Sequence, residues 1–165
     1  MADKPMDTYL NDHLAGSTLG VDLARQIRDR SEGRLRALMD TITAEIEEDR
    51  ETLIEVMERM GTTKNPVKAA GAWMTEKASR VKFSGLSSGE PDIGLFMALE
   101  SLTLGVAGKE CMWQVLLRVQ DHYEPLAAID LDRLIERART QHAQLEQERI
   151  RAGTDALLGE PAAAR

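Results

Sequence analysis

The chain has 165 residues, enough for one domain with a full hydrophobic core and too few to expect two. A formal net charge of -7 disfavours an electrostatic hold on a phosphate backbone or an anionic lipid surface, so neither nucleic acid nor a membrane is an expected partner. With 4% aromatic residues and abundant Ala, Leu, Glu, Arg and Met, the composition reads as all-α.

No apolar run approaches the length of a membrane span, and Met1-Ala2-Asp3-Lys4-Pro5 lacks the apolar core of a signal peptide, which makes the cytoplasm the expected location. Residues 1–7 read as a tail, with Asp7 or Thr8 capping a first helix from Tyr9 to about Arg30. Its apolar face is Leu10, Leu14, Ser17, Val21, Ala24 and Ile27, with His13 at the margin. Gly16 and Gly20, beside Ala15 and Ser17, offer a surface that another helix could approach closely.

Ser31-Glu32-Gly33 interrupts the chain briefly, so the second helix should run back against the first. From Leu35 to Met60, the positions Leu35, Leu38, Ile42, Ile46, Leu53, Val56 and Met60 recur at the three-and-four spacing of one helix face, and the pattern stops at Gly61. Glu45 and Asp49 fall on that same face. Glu47, Glu51, Glu55 and Glu58 turn outward or to the edges, so the inward pair is the exception. An ionised carboxylate without a partner in a dry core costs several kcal/mol, and these two therefore require cations, hydrogen-bond donors or a metal.

Asn65 and Pro66 open a shorter basic helix reaching about Lys82, and Leu86-Ser87-Ser88-Gly89-Glu90-Pro91 is the clearest loop. A third long helix follows from an Asp92 cap to about Asp121. Its stripe is read as Ile93, Met97, Leu104, Ala107, Cys111 and Val115, with Glu100 within it. On that register Cys111 is a small buried hydrophobe and Lys109 points into solvent. Gly105-Val106-Ala107-Gly108-Lys109 is no phosphate loop: the first glycine is misplaced, Glu110 stands where Ser or Thr is needed, and no strand precedes it.

His122-Tyr123-Glu124-Pro125 ends the third helix, and Asp130 caps a fourth reaching about Leu158, before Gly159 and a tail of residues 159–165. The fourth helix buries Leu131, Leu134, Ala138, Leu145, Ala152 and Ala156, with Gln141 in the face and His142 at its edge. Arg137, Arg139, Glu146 and Arg151 are assigned to its outer, charged side.

Residues 8–158 thus form one unit of four helices of about seven turns each, with a long middle connection of about thirty residues that contains a short extra helix. In this order of elements, and in Tyr9-Leu10-Asn11-Asp12-His13 and Ala44-Glu45-Ile46-Glu47-Glu48-Asp49, the chain resembles the ferritin-like superfamily, most of all its small bacterioferritin-related and stress-associated bacterial members. The resemblance implies a ferritin-like four-helix bundle with one long crossover and self-association as a homodimer or higher homo-oligomer, through the first two helices.

The chain departs from the family's di-iron pattern, in which two helices each supply a Glu and two each supply Glu-x-x-His. Glu45 and Glu100 match carboxylate positions. Glu48 stands at one histidine position, Ala138 and Gln141 replace the ligands of the fourth helix, and no Glu-x-x-His occurs in the chain. Two readings follow. In the first, the bundle is a non-catalytic binding or scaffold protein, with Glu45, Asp49, Glu100 and Gln141 bonded to one another and to His13, His142, Arg118 or Arg149. In the alternative, His13, Glu45, Asp49, Glu100 and His142 hold iron or manganese in an altered storage or oxygen-chemistry site. A third class, a sensor using methionine-rich faces (Met39, Met57, Met60, Met74, Met97 and Met112), competes with the use of methionine as core filler.

Overall fold

The computed structural model describes residues 4–62 and 91–159. These form four long helices, α1 (Lys4–Arg30), α2 (Gly33–Arg59), α3 (Pro91–Val119) and α4 (Leu131–Leu158). Two short 3-10 turns, Gln120–His122 and Glu124–Ala128, join α3 to α4, and no strand occurs among the described residues. None of the described helices is long and apolar enough to cross a membrane.

The local chemistry explains where the helices begin and end. Between α1 and α2 the chain turns at Gly33, whose φ of 54° lies in the left-handed region that a side chain disfavours. The Asp130 side chain accepts a hydrogen bond at 3.0 Å from the backbone N–H of Arg133, capping α4 at the predicted residue. At the other end of α4, Gly159 closes the helix in the left-handed conformation. The first helix starts at Lys4, one turn earlier than the sequence suggested, and buries Met6.

Two apolar clusters fix the directions of the helices. One gathers Leu10 and Leu14 from α1, Leu53 to Met60 from α2, Met112 to Leu116 from α3 and Leu131 to Ile135 from α4, closed by Leu126 and Ile129 of the connection. The other gathers Val21 to Ile27 from α1, Met39 to Ile46 from α2, Ala98 to Val106 from α3 and Leu145 from α4. It follows that α1 runs antiparallel to α2 and α3, and α4 antiparallel to α3. It follows also that α2 finishes at one end of the molecule and α3 begins at the other. The short helix expected between Asn65 and Lys82 lies outside the described residues.

Closest packing is between α3 and α4, then between α1 and α2 and between α1 and α3; the backbones of α2 and α4 stand farther apart. At Gly153 of α4 an added Cβ would sit 2.8 Å from the ring of Phe96, so the missing side chain lets the two helices close around that ring.

The expected register of α3 is wrong. Its buried apolar side chains are Ala98, Leu99, Leu102, Val106, Met112, Trp113 and Leu116, whereas Met97, Leu104 and Val115 are 37%, 64% and 47% exposed, and Cys111 is exposed rather than buried. The helix is apolar on nearly all sides and offers two competing stripes. The one that holds the bulkier side chains, Trp113 included, is buried, because it removes more apolar surface from water.

Candidate functional site

Between the two apolar clusters every helix changes to polar residues at the same level. The clusters stop and restart around Ser17 and Thr18 on α1, Asp49 on α2, Lys109 on α3, and Arg137 and Gln141 on α4. This layer is the site. Asp49 is 2% exposed and Gln141 fully buried. Lys109 Nζ donates to Asp49 Oδ2 and, at 2.5 Å, to Gln141 Oε1. Arg137 donates through Nη2 to Asp49 Oδ1 and through Nη1 to Glu48 Oε2 at 2.8 Å. Gln141 passes the chain on, donating from Nε2 to Glu45 Oε2 at 2.8 Å. At the α1 side, Arg50 donates to Thr18 Oγ1 at 3.4 Å, and Ser17 and Thr18 both donate to the carbonyl of Leu14.

The geometry follows from helix periodicity. Glu45, Glu48 and Asp49 are three and four residues apart on one helix, as are Arg137 and Gln141 on its antiparallel neighbour, so each pair projects towards the other. The wide gap between α2 and α4 is filled by these long side chains, and Lys109 reaches it from α3. Three carboxylates therefore meet two cations. Burial of the Lys109 ammonium holds its pKa below the ordinary lysine value, against the opposing pull of the Asp49 carboxylate.

Two predictions made from the sequence are overturned here. Lys109 is not solvated, because in the true register it continues the buried series Leu102, Val106, Trp113 and Leu116. Arg137 is not part of an outer charged face, because its guanidinium turns inward onto Asp49. The inward placement of Asp49 and Gln141 holds. A signal for Lys109 is present in the sequence: the three-and-four spacing of Leu102, Val106, Lys109, Trp113 and Leu116 is as regular as that of the outward stripe Met97, Leu104, Cys111 and Val115.

The five residues considered as metal ligands do not come together. Glu45 is half-buried and bonded to Gln141, and Asp49 has a cation on each oxygen. Glu100 lies half-exposed on α3 and pairs with Arg149 at 3.1 Å. His13 stacks edge-on against Tyr9, with ring centroids 4.7 Å apart, and its pKa is lowered by burial against the opposing effect of Asp12. His142, half-buried on α4, lies near Glu146. Among the described residues no three histidine, cysteine or carboxylate side chains are placed to hold a metal ion. The donor set does not fit one: the oxygens a cation would need already accept from Lys109, Arg137 and Gln141.

A fully buried carboxylate recurs once more. Glu148 of α4, 5% exposed, has Arg34 of α2 at 3.2 Å and Arg151 at 3.7 Å. Here too charge is matched across the α2–α4 gap.

In structural terms the protein is all-α, and its described residues form four long helices with an ion-paired polar layer through their middle. Comparison with known protein families, with curated proteins and with solved structures finds no match.

Proposed function

We propose that the chain is a ferritin-like bundle that works by binding, as a scaffold or partner protein, and that its mid-level polar layer sets helix register instead of hosting chemistry. The ferritin-like part of this reading is supported by helix direction: α2 and α3 run the same way with their ends at opposite poles, as in a bundle with one long crossover. The non-catalytic part is carried by one observation. Both oxygens of Asp49, the most buried carboxylate among the described residues, are held by cations of the chain itself.

The Lys109 ammonium and the Arg137 guanidinium supply the positive charge that the inward Asp49 and Glu45 require, while the third carboxylate, Glu48, lies exposed to water. A half-satisfied polar layer would cost more than an apolar one, and each residue moved out of level by a sliding helix would leave a buried charge unpaired. The layer thus opposes slippage of α2, α3 and α4 past one another.

Elemental analysis by plasma mass spectrometry tests this on the untagged protein, before and after incubation with ferrous iron or manganese and desalting. The expected result is metal far below one equivalent. Near-stoichiometric metal that disappears in Glu45→Ala and Glu100→Ala would replace this reading with an altered metal store or oxidase.

A further inference from the structure

The face of α3 turned away from the bundle carries a second regular pattern. Met97, Leu104, Cys111 and Arg118 recur every seven residues, and Ser101, Gly108 and Val115 recur every seven between them. Together they make the four-and-three spacing of a coiled-coil seam sustained over about three heptads. Leu104 is the most exposed of its large apolar residues, and Met97 and Val115 are also exposed. Single exposed apolar side chains are ordinary, but a contiguous line of them along one helix marks a contact surface. At its middle the seam is open: a Cβ on Gly105 or Gly108 would meet no atom within 4 Å.

We infer that this face is the surface on which a second copy of the chain docks, with the two α3 helices antiparallel across a two-fold axis. The charges choose the occupant and the direction. Glu100, which shares the single cation Arg149 with Glu146, flanks the seam towards one end, while Arg118 stands exposed at the other and has no ion-pair partner among the described residues. Parallel pairing would set Glu100 against Glu100 and Arg118 against Arg118. Antiparallel pairing brings each Glu100 beside the partner copy's Arg118.

That register is also the one in which the seam interlocks. With Ser101 placed opposite Arg118, Leu104 lies opposite Val115 and Gly108 opposite Cys111, so large side chains meet smaller ones. The surface is its own complement, as a two-fold contact requires. It differs from the first-two-helix contact expected from the sequence, and it rests on observations independent of the polar layer.

Sedimentation equilibrium of the full chain, with chemical cross-linking, tests the inference. The wild type should be a dimer. Leu104→Arg, at an exposed position, should leave the circular dichroism unchanged and raise the dimer Kd by about tenfold or more. Arg118→Glu should weaken the dimer, and adding Glu100→Arg to it should restore the affinity. Cys111 is the only cysteine, and antiparallel seams place the two copies of it within about 10 Å, so a short bis-maleimide should link two chains in high yield. A monomeric wild type, as would result if residues 63–90 covered the seam, would overturn the inference. So would a dimer indifferent to Leu104→Arg, or one that Glu100→Arg fails to rescue.

Discussion

Asp49 and Glu100 are both carboxylates on apolar helices and both face a cation of α4, yet they belong to different electrostatic regimes. Asp49 sits at 2% exposure between Lys109 and Arg137, each of which is itself mostly buried. Glu100 meets Arg149 at the rim, where water screens both partners. Taking an ion pair out of water costs several kcal/mol per ion, and only close geometry with additional hydrogen bonds returns it. The inner pair therefore has to be complete, whereas the outer one is optional.

The largest test of this contrast is Asp49→Ala, which leaves Lys109 and Arg137 buried without their carboxylate. A loss of about 3–5 kcal/mol in denaturant unfolding is expected. Replacing the group together, as Asp49→Leu with Lys109→Met and Arg137→Leu, should recover most of that loss, since no charge is then stranded and Gln141 Oε1 alone is left without its donor. Should the triple variant be as unstable as Asp49→Ala, the loss would reflect shape and not charge.

Next comes Lys109→Met. Asp49 keeps Arg137, but one carboxylate oxygen and Gln141 Oε1 lose their donor, and a loss of about 1–3 kcal/mol follows. Thermal or denaturant unfolding reads it directly.

His13 lies between the two regimes. Burial lowers its pKa in the folded state, with Asp12 opposing, so between the folded value and the ordinary 6.5 the unfolded chain binds more protons than the folded one. Stability should therefore rise with pH through that window and fall as the pH drops below about 6.5. A denaturation series from pH 5 to 8 should show this slope, and His13→Gln should flatten it.

The smallest effect is expected at the rim. In the Leu104→Arg background, where no contact between copies is at stake, Glu100→Ala should leave the melting temperature unchanged within error, because the pair it breaks is solvent-screened and Arg149 keeps Glu146 at 2.6 Å. A clear drop there would erase the distinction between the two acids.

Much of the fold was legible in the sequence because α1, α2 and α4 each carry one apolar stripe. Leu10, Leu14, Val21 and Ile27, or Ile42, Ile46, Leu53 and Val56, leave one choice of buried face, and Asp130 and Gly159 mark the bounds of α4 by their own chemistry. The helix α3 was misread because it carries two stripes at the same spacing, one of which faces outward. That single choice hid Lys109 and turned Cys111 inward. Half of the candidate site was legible: Asp49 and Gln141 interrupt otherwise apolar faces, and such interruptions demand partners. Of their cations, Lys109 lies on one of two equally regular stripes of α3, and Arg137 was not legible because helix periodicity places a long side chain's Cβ but not its charged tip. Arg137 starts at the edge of α4 and reaches the core only through its three-carbon stem.

Asp49 and Lys109 act as one unit in the core. A double-mutant cycle of Asp49→Leu and Lys109→Met, followed by guanidinium unfolding, measures this directly. The double variant should lose less than the sum of the single losses by about 2 kcal/mol or more. Losses that add to within about 0.5 kcal/mol would contradict it, since residues that add so closely do not share a buried charge pair.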